Sequence, residues 1–264
     1  MNFKFRRVLA VVYRHLMVLK DPFEIFNYFY WTFLDILLFG FLGLYMQKQQ
    51  GADTTTAVIL LANLTLWYLV VRSTLVISQA LLREFWDLNF VGLFSTPLTI
   101  FEWTFAAFIL GTFTAILNFL IGALMVYLFF GFNIFSLGLI IIPATISLII
   151  SGWILGFLTA SILVYKGKKA ETLAYAISWI FVPFSGVYYE TSIMPPQITK
   201  FAQFIPMFHT FQGIREYIHG KEALWHLQAS FILNIIYLTI IIFIFIFLFN
   251  KSKNKGLNRL EVES

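Results

Sequence analysis

Residues 231–249 read FILNIIYLTIIIFIFIFLF, nineteen residues without an Asp, Glu, Lys or Arg. At 1.5 Å per residue such a helix is about 28 Å long, close to the ~30 Å of hydrocarbon in a bilayer. In lipid the backbone must satisfy its own N–H and C=O groups, and a helix does so. The stretch reads as a membrane-spanning helix, and the pattern recurs along the chain. Candidate spans cover residues 25–45, 57–79, 104–130, 137–164, 172–187 and 231–249. The fifth is short, about 24 Å by the same rise, and contains Pro183. It either continues through an irregular segment or stops below the far interface.

Composition agrees. The 264 residues are 60% hydrophobic and 12% charged, with mean hydropathy +0.84, whereas soluble domains are about half apolar and a quarter charged. The net charge of +5 would suggest nucleic acid in a soluble protein. Here the basic residues flank apolar runs, so membrane lipids are the expected partner and nucleic acid is not. With no cysteine, disulfides and thiol chemistry are excluded. Lys4, Arg6 and Arg7 precede the first long apolar run, but that run starts only after Asp21-Pro22 and ends without a small-residue cleavage site. No cleaved signal peptide is expected.

Lys and Arg set the orientation. With the N-terminus inside, Lys4, Arg6, Arg7, Arg14, Lys20, Arg83, Lys166, Lys168, Lys169, Lys251, Lys253, Lys255 and Arg259 are cytoplasmic, thirteen in all. Four lie outside (Lys48, Lys200, Arg215 and Lys221), and Arg72 falls within a span. Both termini are then cytoplasmic. A single transmembrane domain, 1–250, is followed by a polar tail, 251–264.

Residues 3–20 read as an amphipathic helix in the cytoplasmic interface. Phe5, Val8, Leu9, Val12, Leu16 and Leu19 share one face, while Lys4, Arg7, Arg14 and His15 lie opposite, interrupted by Val11 and Val18. Asp21, Pro22 and Glu24 fit the N-cap, first and third positions of the first span. Two connections exceed simple turns. The inner one, 80–103, reads as a short amphipathic helix over 82–96 ended by Ser95-Thr96-Pro97. The outer one, 188–230, is aromatic and broken by Pro195, Pro196 and Pro206. Its backbone suits a pair of short helices dipping back toward the membrane.

Catalytic signals are mostly absent. The chain has no phosphate loop of the G-x-x-x-x-G-K-[ST] type and no G-x-S-x-G elbow. His15, His209, His219 and His226 show no metal spacing. Intramembrane charges are costly and are functional candidates. Asp35 sits at the midpoint of the first span and Arg72 at similar depth in the second, so an Asp35–Arg72 pair is plausible. It would be either a polar point on a substrate path or, the favoured reading, a structural pair or a snorkelling arginine. Gly152, Gly156 and Ala160 recur every four residues, as at a close helix contact within the chain or between copies.

The chain resembles the membrane-permease subunits of the ABC-2 family of ATP-driven exporters. The resemblance rests on the interfacial helix, the six spans, the inner helix and above all residues 171–216. These read ETLAYAISWIFVPFSGVYYETSIMPPQITKFAQFIPMFHTFQGIRE. It implies an all-α integral membrane protein of six transmembrane helices with an N-terminal interfacial helix, an inner coupling helix and an outer re-entrant helical hairpin. The family works as a dimer of permeases in the plasma (inner) membrane with separate ATP-binding-cassette ATPase subunits. ATP and Mg would bind the partner ATPase and no cofactor this chain, which would not itself be an enzyme.

By position, residues 82–96 would be the coupling helix, with Arg83, Glu84, Phe85 and Asp87 contacting the ATPase. Arg83 is the only basic residue of that loop, against Glu84, Asp87 and Glu102, which suits a protein partner better than an anionic leaflet. The hairpin 188–212 would line the outer exit between two permease copies, with Tyr188, Tyr189, Glu190, Pro195, Pro196, Pro206 and His209 at the gate. The Leu-Lys-Asp-Pro-Phe turn at 19–23 looks nearer to the drug and lipid branch than to the polysaccharide branch. A hydrophobic or amphiphilic substrate is expected, with lipid-linked glycan export the alternative. A polytopic lipid-modifying enzyme would need an interfacial cluster of Asp, His or Arg that is not seen. A secondary carrier would place its helix breaks near the midplane, whereas Pro195 and Pro206 lie toward the outer face.

Overall fold

The computed structural model describes residues 3–17, 20–50, 54–189 and 193–255. The described residues form ten α-helices and no strand. They are α1 (Phe5–Met17), α2 (Pro22–Gln50), α3 (Thr54–Trp86), α4 (Phe90–Ser95), α5 (Ile100–Phe130), α6 (Ile141–Lys166), α7 (Glu171–Ser185), α8 (Pro196–Ala202), α9 (Pro206–Ile218) and α10 (Leu224–Asn254).

Among the described residues five segments are long and apolar enough to cross a membrane: Pro22–Lys48, Ala57–Trp86, Ile100–Phe130, Ile134–Ser185 and Leu224–Asn254. The chain is thus an all-helical, multi-pass membrane protein. The fourth segment contains both α6 and α7, joined by the 3-10 turn Gly167–Ala170. α7 packs on α6 and α3 and ends at Gly186, whose φ of 69° suits glycine.

α3 is the central rod. Of its most apolar window 83% is buried, against 22% for α2 and 17% for α10, which present most of their side chains outward. Its closest neighbour is α6, and small residues explain why. A Cβ on Gly152 would lie 2.5 Å from Ser73 Cβ and 2.8 Å from the Val70 carbonyl oxygen. On Gly156 it would lie 2.9 Å from Ile77 Cβ. The Thr74 hydroxyl donates to the Gly152 carbonyl at 3.1 Å. The small-residue stripe is therefore spent on a contact within the chain.

Following the helices back and forth leaves two unlike ends. One, the basic end, holds α1, α4, the turn Gly167–Ala170 and the end of α10. There Lys166, Lys251 and Lys255 all lie within 6 Å of the Tyr165 ring. The other, the aromatic end, holds the Ile134–Ile140 turn and α8–α9. Two buried clusters match these ends, one around Trp67 and Phe211, the other around Phe85, Phe90, Trp103 and Phe245.

Three local expectations are corrected. First, α1 turns its basic side toward protein. Val8, Val11 and Val12 are buried and Phe5, Leu9 and Tyr13 exposed, while Arg7 and Arg14 reach carboxylates on other helices. Leu19 and Val18 lie outside the described residues. Second, residues 82–96 are not one helix. α3 runs on to Trp86, Leu88 takes a left-handed φ of 50°, and a separate turn of helix, α4, follows. The Asn89 N–H returns to the Glu84 carbonyl at 2.9 Å, which closes α3 and turns the chain. Third, α10 starts at Leu224 and not near 231, because its first turns are polar helix that hydropathy does not register. The start of α2 follows expectation: the Asp21 carboxylate accepts from the Phe23 N–H at 2.9 Å.

Candidate functional site

Three groups of side chains stand out, one at each end and one between. At the basic end, two buried carboxylates hold α1. Glu84, 1% exposed, accepts both Arg14 nitrogens at 3.0 Å and the Asn89 amide at 2.9 Å. Glu102, fully buried, closes a capping box with Thr99 and accepts the Lys4 backbone N–H at 2.7 Å. Arg7 lies 3.3 Å from the Glu102 carboxylate and donates to the Pro97 carbonyl at 2.6 Å. Arg7 and Arg14 are two helical turns apart, so one face of α1 carries both contacts.

This arrangement divides the four residues expected to meet an ATPase. Glu84 and Phe85 are buried and point into the protein, so neither presents a contact surface. Arg83 lies against Glu24 at 3.3 Å. Only Asp87 stands free at the surface, flanked by Trp86 and Leu88, which are 39% and 62% exposed. The outward corner is therefore Trp86–Leu88, with Glu84 its brace from beneath.

Between the ends lie Asp35 and Arg72, which the structure does not pair. Asp35 accepts a short hydrogen bond from the Tyr68 hydroxyl. Arg72 donates to the Tyr28 carbonyl, and its guanidinium carbon sits 5.0 Å from the centre of the Tyr28 ring. Arg72 reaches Tyr28, seven residues before Asp35 on α2, and Tyr68 fills the place expected for the arginine.

At the aromatic end, Tyr188 stacks on Phe39 of α2 with ring centres 4.6 Å apart. The Tyr189 hydroxyl donates to the Pro183 carbonyl. Glu190 lies outside the described residues. Pro195 caps α8 and Pro196 opens it; Pro206 opens α9, and Gly186 accepts a hydrogen bond from the buried Arg215. Burial, with the Asp35 carboxylate second, pushes the Tyr188 phenol up, so it stays neutral.

His209 is 7% exposed and sits in a chain of hydrogen bonds that sequence spacing did not show. Its Nε2 lies 2.8 Å from the Gln203 carbonyl, an acceptor only, so that nitrogen carries hydrogen. Its Nδ1 faces His226 Nδ1 at 3.1 Å, and His226 Nε2 faces Glu216 at 3.3 Å. That leaves Nδ1 of a neutral His209 as the acceptor of the His226 Nδ1–H. His209, His226 and Gln203 border a groove of about 640 Å³ lined also by Phe204, Phe208, Gln212 and Trp225, a volume in the range of small-molecule pockets.

Burial holds the His209 imidazole below its ordinary value; the Gln203 carbonyl opposes this and the facing His226 adds to it. The unfolded chain therefore takes up a proton at this position before the folded one does. Stability is whole above the unfolded value of 6.5 and declines as pH falls through it. Thermal unfolding of the purified protein is expected to shift down between about pH 7.5 and 5.5, and to shift less in His209→Gln. Equal shifts in both proteins would remove His209 from the account.

A second unforeseen network pins α9 in place. The Ser147 hydroxyl of α6 lies 3.0 Å from Thr210 on α9 and 2.6 Å from Ser230 on α10. Asn234 donates to Ser147 at 2.9 Å and accepts from Ser151 at 2.9 Å. All five side chains are at most 1% exposed. The available signal was the presence of Ser and Asn in otherwise apolar spans, which marks helix contacts but not partners.

No protein-family model matches the chain, and no curated protein matches it. Among the described residues no three His, Asp or Glu side chains are grouped so as to hold a metal ion.

Proposed function

We propose that the chain is the permease half of an ATP-driven exporter of the ABC-2 type. It would move a hydrophobic or amphiphilic compound with energy from ATP hydrolysed on a separate ATP-binding-cassette subunit. The observation that carries this reading is the braced corner at Trp86–Leu88. A transmitted push needs a contact that does not yield, and the Arg14–Glu84–Asn89 set ties the corner to α1 and α3. The basic end is the cytoplasmic one, since Lys and Arg collect there. Both termini then face the cytoplasm of the plasma membrane, and α7 counts as a sixth span. On this reading α8 and α9 re-enter from outside, and the outward faces of α2 and α7 meet a second copy across the substrate path.

The test is co-purification with a Walker-A ATPase encoded in a neighbouring reading frame. Asp87→Arg combined with Leu88→Glu is expected to abolish association and transport while thermal stability is kept, because both side chains are exposed. Association and transport at wild-type levels in that variant would refute the docking role of the corner. Finding no ATPase partner for the wild-type protein would refute the permease reading.

A further inference from the structure

Asp35 lies thirteen residues past Pro22 and fifteen short of Gln50, near the middle of α2. Either end of the helix is about 20 Å away, too far for the side chain to reach water along the rod. An ionised carboxylate at that depth is costly unless balanced by a cation or a proton. Among the described residues no Lys, Arg or His lies within ion-pair distance of Asp35, and Arg72 is committed to Tyr28. Among the described residues the hydrogen-bond partner of Asp35 is the Tyr68 hydroxyl, which orients the carboxylate without neutralising it.

Unlike Tyr68, which is 1% exposed, Asp35 is only partly buried. Its surroundings are aromatic. Trp31, one turn earlier on α2, is 58% exposed, and Phe39, one turn later, stacks on Tyr188. Tyr188 is close enough to feel the Asp35 charge. A hard inorganic cation needs about six oxygen ligands, and the three oxygen-bearing side chains Asp35, Tyr68 and Tyr188 do not provide them. An organic cation needs one countercharge and the faces of aromatic rings.

We infer that Asp35, oriented by Tyr68 and flanked by Trp31, Phe39 and Tyr188, is a recognition point for a hydrophobic organic cation. The inference deepens the permease reading by naming a substrate class, and rests on it only for the idea that the ligand is carried onward.

Tetraphenylphosphonium and tetraphenylborate, alike in shape and opposite in charge, test the binding step. The full chain is purified in neutral detergent, without an ATPase or nucleotide. The phosphonium is expected to bind saturably and the borate not. Asp35→Asn keeps an acceptor for Tyr68 and removes the charge, so phosphonium affinity should fall at least about tenfold. Asp35→Glu should recover part of it. Equal phosphonium binding by wild type and Asp35→Asn, or borate bound as tightly as phosphonium, would overturn the inference and leave Asp35 as a protonated partner of Tyr68. Charge-selective binding by a protein that never associates with an ATPase would keep this inference and remove the permease reading. ATPase association without charge selection would do the reverse.

Discussion

Gly152→Leu is expected to leave no folded protein in the membrane fraction, and Gly152→Ala to lower thermal stability sharply. The reason is local. An added Cβ on α6, 2.5 Å from Ser73 Cβ and 2.8 Å from the Val70 carbonyl, meets α3 through both a side chain and the backbone. The alanine alone is expected to cost about 3 kcal/mol, the upper end for overpacking. Shaving the opposing side chain with Ser73→Gly should return only part of that, since the carbonyl remains. Gly111→Ala is the control. There the nearest atoms lie at 3.5 Å, an ordinary contact, and little change is expected. Comparable unfolding temperatures for Gly152→Ala and Gly111→Ala would show that α3 and α6 can separate without penalty.

The second large effect is at the basic end. Arg14→Ala leaves Glu84, 1% exposed, with Asn89 as its remaining side-chain partner. Breaking a buried pair costs about 3–5 kcal/mol, but Arg14 is 44% exposed, and solvent screening brings the expected loss to about 2 kcal/mol. Amide exchange over residues 5–17 should rise as α1 loosens. Arg14→Lys should recover less than half of the loss, because an ammonium cannot reproduce the two-nitrogen contact. Adding Glu84→Leu to Arg14→Ala removes the stranded charge and should restore stability. If the double variant is no more stable than Arg14→Ala, the two residues are not coupled.

How far the sequence carried can be judged from the same residues. The membrane-crossing segments were legible because charge-free runs of about twenty residues have few other uses. Their ends were less so: α3 and α10 continue as polar helix beyond the apolar window, through Arg83 and Glu84 at one end and His226 at the other. A fixed rise per residue places Asp35 and Arg72 along their helices but not around them. Tyr68 precedes Arg72 by one turn and shares its face, and which of the two meets Asp35 depends on how α2 and α3 are rotated. The same ambiguity affected α1, where apolar residues occupy both the protein side (Val8, Val11, Val12) and the exposed side (Phe5, Leu9, Tyr13). Seven-residue spacing of Arg7 and Arg14 was visible, but their partners Glu102 and Glu84 come from distant helices.

The hydroxyl and amide cluster at Ser147, Thr210, Ser230 and Asn234 bears on how the chain is made. Synthesis delivers α6 first, then α9, and α10 last. Until Ser230 and Asn234 arrive, Ser147 has only Thr210, and Thr210 has Ser147 and the Pro206 carbonyl of its own helix, so a short polar helix has little to hold it among apolar ones. The final helix thus acts as a keystone: its insertion completes the hydrogen bonding of segments synthesised long before it. Quality control that senses exposed polar groups inside the bilayer would see these segments as unfinished until α10 is in place.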